Sequence, residues 1–460
     1  MCGSKLIRWM FPLISILIMV TQAEASTVKY AITDLGKNIT PTAINNHGQV
    51  VGYLTSADNH RQAITYYQGR VRYLGTFGGS DSEAKAINDK GHIVGRFTTG
   101  DQKHGFALFH YGRFIDLFSE AEMINATGIN RYDLIIGEKM SGTEYYYPYR
   151  KVVVYDHGIV FDLSKMGEEQ GKITPHFNAS ARGINDLAQA VVFQGLCGSI
   201  ECDHTNFFNA DVFTSFLLFR GSDLNDRGQV VGCGAGGYEI CKAALLENGA
   251  WAVLAGQQVY HLSNAASINN LGQIVGTGQK LPDYSFHAFI HYKGTGTELK
   301  TLLPAYARWA LSEATAINDR GQIVGTGLLR GEKHAYLLTP LVQPVEIDVK
   351  HHGPDHSVNL KPNSQLSFVL FGSSVFNAAT IRPASVKLTA SAIGLSGRGD
   401  RYLHKIKDIN GDGYLDFISI VFIDRVAVPP AGSTQLLTLE AATFHGNLVE
   451  GVVKVRQVAQ

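Results

Sequence analysis

The sequence has no excess of charge of either sign. Across its 460 residues Lys plus Arg and Asp plus Glu number 40 each, which argues against a nucleic-acid binder, whose surface is normally basic. After Val20 no apolar run is long enough to cross a bilayer. Cysteine is scarce, five residues in all, and none belongs to a Cys-x-x-Cys pair. Catalytic signatures are missing too: there is no Gly-x-Ser-x-Gly, His-Glu-x-x-His, phosphate loop or dinucleotide fingerprint. No pair of acids stands out as a catalytic set.

The N-terminus has the pattern of a targeting segment. Lys5 and Arg8 precede an apolar stretch from Trp9 to Val20, and Ala23-Glu24-Ala25 fits the small-x-small cleavage rule. Residues 1–25 are therefore expected to be a signal peptide, cleaved near Ala25. The mature chain is then secreted, periplasmic or at the cell surface, with no membrane span. Cys2 leaves with the signal, and Cys197, Cys202, Cys233 and Cys241 remain. An even number in an exported chain reads as two disulfides. The simplest pairing is Cys197–Cys202 and Cys233–Cys241; cross-pairing and a zinc site are the open alternatives.

What is present is a repeat. Ala86-Ile87-Asn88-Asp89-Lys90-Gly91-His92-Ile93-Val94-Gly95 reads as strand, tight turn, strand. The turn Asn recurs at Asn45, Asn88, Asn130, Asn185, Asn225, Asn269 and Asn318, on average about 45 residues apart. Two copies are worn, with Asp133 and Ala188 where Gly is expected. Each unit adds a second hairpin, such as Gly105 to His110 followed by Arg113 to Leu117. Four short antiparallel strands per unit are the content of one propeller blade. One such sheet cannot bury both faces, but a ring of them can. The expected fold is all-β: a seven-bladed β-propeller over residues 26–342.

The two ends of the repeat region complement each other. Val28 to Gly36 resembles a fourth strand without its blade, while the last repeat leaves the pattern at Pro340. The N-terminal strand is expected to close the last blade and leave no open edge. The Asn-x-x-Gly turns and the Gly turns of the second hairpins then share one face. The loops that vary in length share the other, among them Glu138 to Tyr149 with its Tyr145-Tyr146-Tyr147 run, Gln194 to Asn209, and Cys233 to Cys241. Loops on a rigid scaffold carry function, so this second face is the expected binding face. The seven Asn residues are read as turn formers rather than ligands.

Near Pro344 the period stops, and residues 345–460 read as a small β-sandwich-like domain. Its sharpest feature is Asp408-Ile409-Asn410-Gly411-Asp412-Gly413-Tyr414-Leu415-Asp416. Oxygen side chains stand at positions 1, 3, 5 and 9, with Gly at 6, which is calcium-loop spacing. A structural Ca2+ is expected on Asp408, Asn410, Asp412, Asp416 and the Tyr414 carbonyl, with strands rather than helices flanking the loop. Position 12 is Ser419 rather than an acid. His351-His352-Gly353-Pro354-Asp355-His356, at the domain junction, reads as a solvated linker.

The repeats resemble the HAF-repeat family of extracellular proteins, named for a His-Ala-Phe motif. His287-Ala288-Phe289, His334-Ala335-Tyr336 and His104-Gly105-Phe106 match that motif. Tyr73 to Ser80, followed by Ala86-Ile87-Asn88, matches the Asp-Leu-Gly and Ile-Asn parts of the unit. The resemblance covers roughly residues 28–340. It implies an exported bacterial protein and brings no catalytic residues with it. The tail resembles a β-module found at the end of other exported bacterial proteins. The function expected is non-enzymatic binding of an extracellular glycan or protein partner. The alternative is a glycan-active hydrolase or lyase using acids on the loop face.

Overall fold

The computed structural model describes residues 29–100, 102–108, 112–141, 148–195, 203–234, 241–349, 357–390, 394–426 and 430–458. The expected signal peptide, Val28, Tyr145–Tyr147, Cys197, Cys202 and the His351–His356 segment lie outside these residues.

Each Asn-x-x-Gly unit folds into four antiparallel strands, and there are seven such sheets. The innermost strands are Ile39–Ile44, Asp81–Ile87, Met123–Ile129, Ala179–Ile184, Phe219–Leu224, Leu262–Ile268 and Trp309–Ile317. Each packs against the next, and the last packs against the first, so the blades form a closed ring. The worn copies also make complete blades. Asp133 and Ala188 adopt the left-handed backbone that Gly takes elsewhere, at φ 69° and 58°.

The last blade consists of Trp309–Ile317, Ile323–Leu329 and Glu332–Pro340, with Tyr30–Lys37 as its outermost strand. The register runs from Tyr30 opposite Pro340 to Lys37 opposite His334. Tyr30 and Leu35 are buried there.

The repeat's Val-Gly pair has a packing cause. Val51, Val94, Ile136, Val191, Val231, Val275 and Val324 all have 0 % exposure, so the same position fills the space between neighbouring sheets in every blade. The Gly stands beside a bulge. All seven inner strands slip register at one equivalent point, for example between Ala84 and Ala86 and between Ala314 and Ala316. The bulge drives an inner-strand carbonyl toward the second strand. A Cβ added at Gly52, Gly95, Gly137, Gly232, Gly276 or Gly325 would stand 1.9–2.3 Å from that oxygen. The fourth blade has the same bulge but Val192 at this position, opposite Ala181, so the bulge alone does not require Gly.

The His of the His-Ala-Phe motif reaches across to the acid of the adjacent outer strand. Nδ1 of His104, His287 and His334 lies 3.1, 2.7 and 2.9 Å from Asp116, Glu298 and Asp34. Two outer strands stop earlier than the pattern suggests. Asp116 and Asp162 end theirs and cap short helices, Leu117–Ala121 and Leu163–Glu169, by accepting from Phe118 N and Lys165 N.

Beyond Pro340 the chain forms a nine-stranded sheet that curls around a core of its own, including Val358, Leu360, Phe368, Phe417, Val421, Leu437 and Leu439.

Candidate functional site

The two faces of the ring differ in construction. On the first, each turn Asn ties its own loop with Oδ1, as Asn45 does by accepting from His47 N and Gln49 N. Its Nδ2 then donates to the backbone carbonyl of the next blade's Asn. Asn45, Asn88, Asn130, Asn185, Asn225, Asn269 and Asn318 each do so, the last returning to Asn45, at 2.8–3.0 Å. All seven are at most 6 % exposed. They are turn formers, as expected, and they also bond the blades into a ring. The second role depends on which turns meet in space, so spacing along the chain carries no sign of it.

The residue after each Asn builds a second ring. Backbone N–H groups of Asn46, Arg131, Asp186, Asp226, Asn270 and Asp319 donate to side-chain oxygens of Asp89, Asp186, Asp226, Asn270, Asp319 and Asn46, at 2.7–2.8 Å. The ring breaks at Arg131, which has no acceptor to offer Asp89 N. These residues line a funnel of about 200 Å³ around the axis. Burial raises the carboxyls of Asp186 and Asp319 above the ordinary range. The nearby charges of Asp226 and Asp89 add to the rise, while N–H groups from Arg131 and Asn270 oppose it. The carboxylates here are occupied in holding neighbouring turns.

Asp133 shows that the worn third copy is compensated. Where five blades have Gln four residues after Asn, the second has His92 and the third Leu134. Asp133 of the next blade accepts from Asn88 Nδ2 at 2.8 Å, meets His92 Nδ1 at 2.7 Å and pairs with Lys90 at 2.8 Å.

The C-terminal sheet meets this first face. Arg227, in the fifth Asn turn, pairs with Glu346. Lys29, which precedes the strand Tyr30–Lys37, pairs with Glu450 at 3.9 Å. Burial, with Glu346 nearby, pushes the Tyr292 hydroxyl up to about 12.

On the second face the connections vary, from Arg330-Gly331 to Ser56–His60 and Lys280–Ser285. A disulfide joins Cys233 and Cys241 across one of them. A pocket of about 290 Å³ opens here between the first two blades, lined by Arg61, Asp81, Ser82, Glu83, Arg96, Thr98 and Lys103. At its base is Glu83, 2 % exposed. Arg96 grips it through Nε and Nη2 at 3.2 and 2.9 Å, and Arg61 and Lys85 also pair with it. Burial alone would raise the Glu83 carboxyl, but the bonds from Arg96, Lys85 and Arg61 prevail and hold it at about 2. Sequence reasoning missed this cluster. Its one trace was a run of polar residues, Ser82-Glu83 and Lys85, inside a strand that should be core.

The expected calcium loop is an exposed turn between Leu395–Lys407 and Asp416–Arg425. Gly411 and Gly413 have φ of 77° and 89°, which curls it. Asp408 accepts from Gly411 N and Gly413 N at 2.7 and 3.0 Å. Asn410 donates to Asp412 at 2.8 Å, and Asp412 also accepts from Tyr414 N. Asp416, 0 % exposed, accepts from Ile409 N and Gly372 N at 2.8 and 2.9 Å. Thus Asn410 and Asp412 are brought together, while Asp408 and Asp416 turn to backbone N–H groups. Among the described residues no three His, Cys, Asp or Glu side chains converge as a metal cluster.

No family model matches the chain, and no curated protein matches it. Several solved structures are similar in architecture. The extracellular domain of the putative one-component system BT4673 from B. thetaiotaomicron has 10 % identity and a TM-score of 0.40, over 92 % of this chain and 58 % of that one. TolB from Acinetobacter baumannii has 9 % identity and a TM-score of 0.36, over 64 % of each chain. Trypanosoma rangeli sialidase in complex with 2,3-difluorosialic acid has 7 % identity and a TM-score of 0.34, over 94 % of this chain and 86 % of that one. The chain thus spans less than two thirds of the first two. The likeness is one of fold alone.

Proposed function

We propose that this is an exported binding protein of the HAF-repeat type that holds an extracellular glycan or protein partner on its variable-loop face. The observation that carries this is the division of labour between the faces. The first face is consumed by one closed and one interrupted ring of hydrogen bonds and by contact with the C-terminal sheet. The second bears loops of unequal length, a disulfide-braced connection and the Arg61–Glu83–Arg96 pocket. Rigid scaffold beneath variable loops is the arrangement from which binding sites are built. The Cys233–Cys241 bond and the N-terminal targeting pattern support export. Among the described residues no helix is long and apolar enough to cross a membrane. The test is a screen of the mature chain against glycans, envelope fragments and secreted proteins. Saturable binding supports the proposal, and its absence across the screen removes it. Product released from a polysaccharide would favour the hydrolase or lyase alternative.

The C-terminal turn is proposed to take up one structural calcium ion through Asp408, Asn410, Asp412, Asp416 and the Tyr414 carbonyl. The donors are hard oxygens, the ligand type calcium prefers. Among the described residues no Lys, Arg or His pairs with the three carboxylates. Such crowding is relieved when a cation neutralises it.

A further inference from the structure

The geometry points to the pocket between the first two blades as a site for the carboxylate of an acidic sugar, a hexuronate unit of a polysaccharide. This deepens the proposal above and rests on the variable-loop face being the binding face.

Among the described residues the lining holds three cations, Arg61, Arg96 and Lys103, against two carboxylates, Asp81 and Glu83, and Lys85 also pairs with Glu83. Both acids are ionised. Glu83 sits at about 2, and the Arg61 backbone N–H, bonded at 2.8 Å, helps hold Asp81 below the ordinary range. The site therefore keeps a surplus of positive charge, and Lys103 forms no ion pair with any described residue.

The cationic groups are also preorganised. Glu83 is buried and cannot leave, so it fixes the Arg96 and Arg61 guanidinium groups from below. The Tyr53 ring, 4.8 Å from the Arg61 guanidinium, holds it from the side. Planar guanidinium groups held in place match a carboxylate well, because little side-chain entropy is left to lose on binding.

The size and lining of the pocket select the ligand class. About 290 Å³ exceeds what a bare inorganic anion needs and is near the lower end for a small organic ligand. Asp81 and Thr98 lie opposite each other on neighbouring strands and both line the pocket, the Asp81 carboxylate also accepting from Arg61 N and Ser80 Oγ. An acceptor at the rim disfavours a dianion but suits a monoanion that also carries hydroxyl groups. A sugar acid has both.

The test titrates the mature full-length chain with a trimer of galacturonic acid, with its methyl ester, and with inorganic sulfate, by calorimetry. Lys103→Glu and the double variant Arg61→Gln/Lys103→Glu are measured beside it, with thermal melts to show that they fold. Glu83 and Arg96 are left intact because the core of the first two blades depends on them. The acid trimer is expected to bind, the ester at least tenfold more weakly, and the double variant to lose at least tenfold in affinity with its melt preserved. Equal binding of acid and ester, or unchanged affinity in the folded double variant, overturns the inference. So does displacement by sulfate at equal concentration, which would make this a bare anion site. If the acid trimer fails while another ligand from the screen binds the variable-loop face, the pocket assignment falls and the broader proposal stands. If nothing in the screen binds, the broader proposal falls with it.

Discussion

Asn318 donates its side-chain N–H to the carbonyl of Asn45 at 2.8 Å, although 273 residues separate them. The contact completes a ring that every blade joins through the same atom pair. It also gives a physical reason for Asn at this position. Asp would keep the turn but lose the donor, and Gly would lose both. Asn318→Ala takes the second donor from the Asn45 carbonyl, which keeps Gly48 N, and leaves the N–H groups of Arg320 and Gln322 without their partner. The expected cost is on the order of 3 kcal/mol. Asn318→Asp should recover part of it, because the acceptor returns and the donor does not. Denaturant titration of both variants checks the order.

Ring closure also depends on the N-terminal strand. Deleting the chain through Lys37 removes the main-chain partners of residues 334–340, the buried Tyr30 and Leu35, and the Asp34 carboxylate beside His334. The truncated protein is expected to melt several degrees lower or to fail to fold. A melt equal to that of the intact chain would show that this strand contributes nothing to closure.

Glu83 predicts a pH dependence with a definite sign. Its folded-state value of about 2 lies below the ordinary 4.5. A depressed carboxylate contributes stability that is fully present above the ordinary value and is lost as pH falls toward the folded one. The contribution is about 3 kcal/mol at neutral pH. Glu83→Gln should therefore be less stable than the parent by roughly that amount at pH 6. The gap should close between about pH 4.5 and 2. Asp186 and Asp319 act with the opposite sign. Their raised values mean that the ionised funnel is under electrostatic strain above those values, relieved as pH falls. Denaturant titrations of parent and Glu83→Gln across that range separate the two effects.

Calcium should raise the melting temperature of the full chain, and chelator should reverse the rise. Asp412→Ala should abolish the response while leaving the calcium-free melt close to the parent's, since Asp412 is exposed and its described bonds stay within the turn. A melt unmoved by millimolar calcium in the parent would remove the site assignment.

The parts of this account that were legible in the sequence are local ones. Asn and Gly at fixed spacing define turns, and their period counts blades. The mismatch between Val28–Gly36 and the truncated last repeat revealed closure, which the strand Tyr30–Lys37 bears out. What depends on three-dimensional convergence was not legible. The Gly of Val-Gly has no turn to explain it and makes sense only once the bulge brings a carbonyl against it. Asp133 looked like decay, yet it supplies what His92 cannot. Arg61 and Glu83 lie on different blades, and nothing in their 22-residue separation marks them as partners.

The central claim is that binding belongs to the variable-loop face. It is tested most directly by capping each face in turn. Asp58→Cys places a thiol in an exposed variable-face loop, and Arg70→Cys places one at the exposed start of the strand Arg70–Gly75, beside the turn on the opposite face. Each is coupled to a large polyethylene glycol and measured against whichever glycan or protein the screen retains. The account predicts that the chain capped at position 58 loses binding and the chain capped at position 70 keeps it; the reverse result would contradict it.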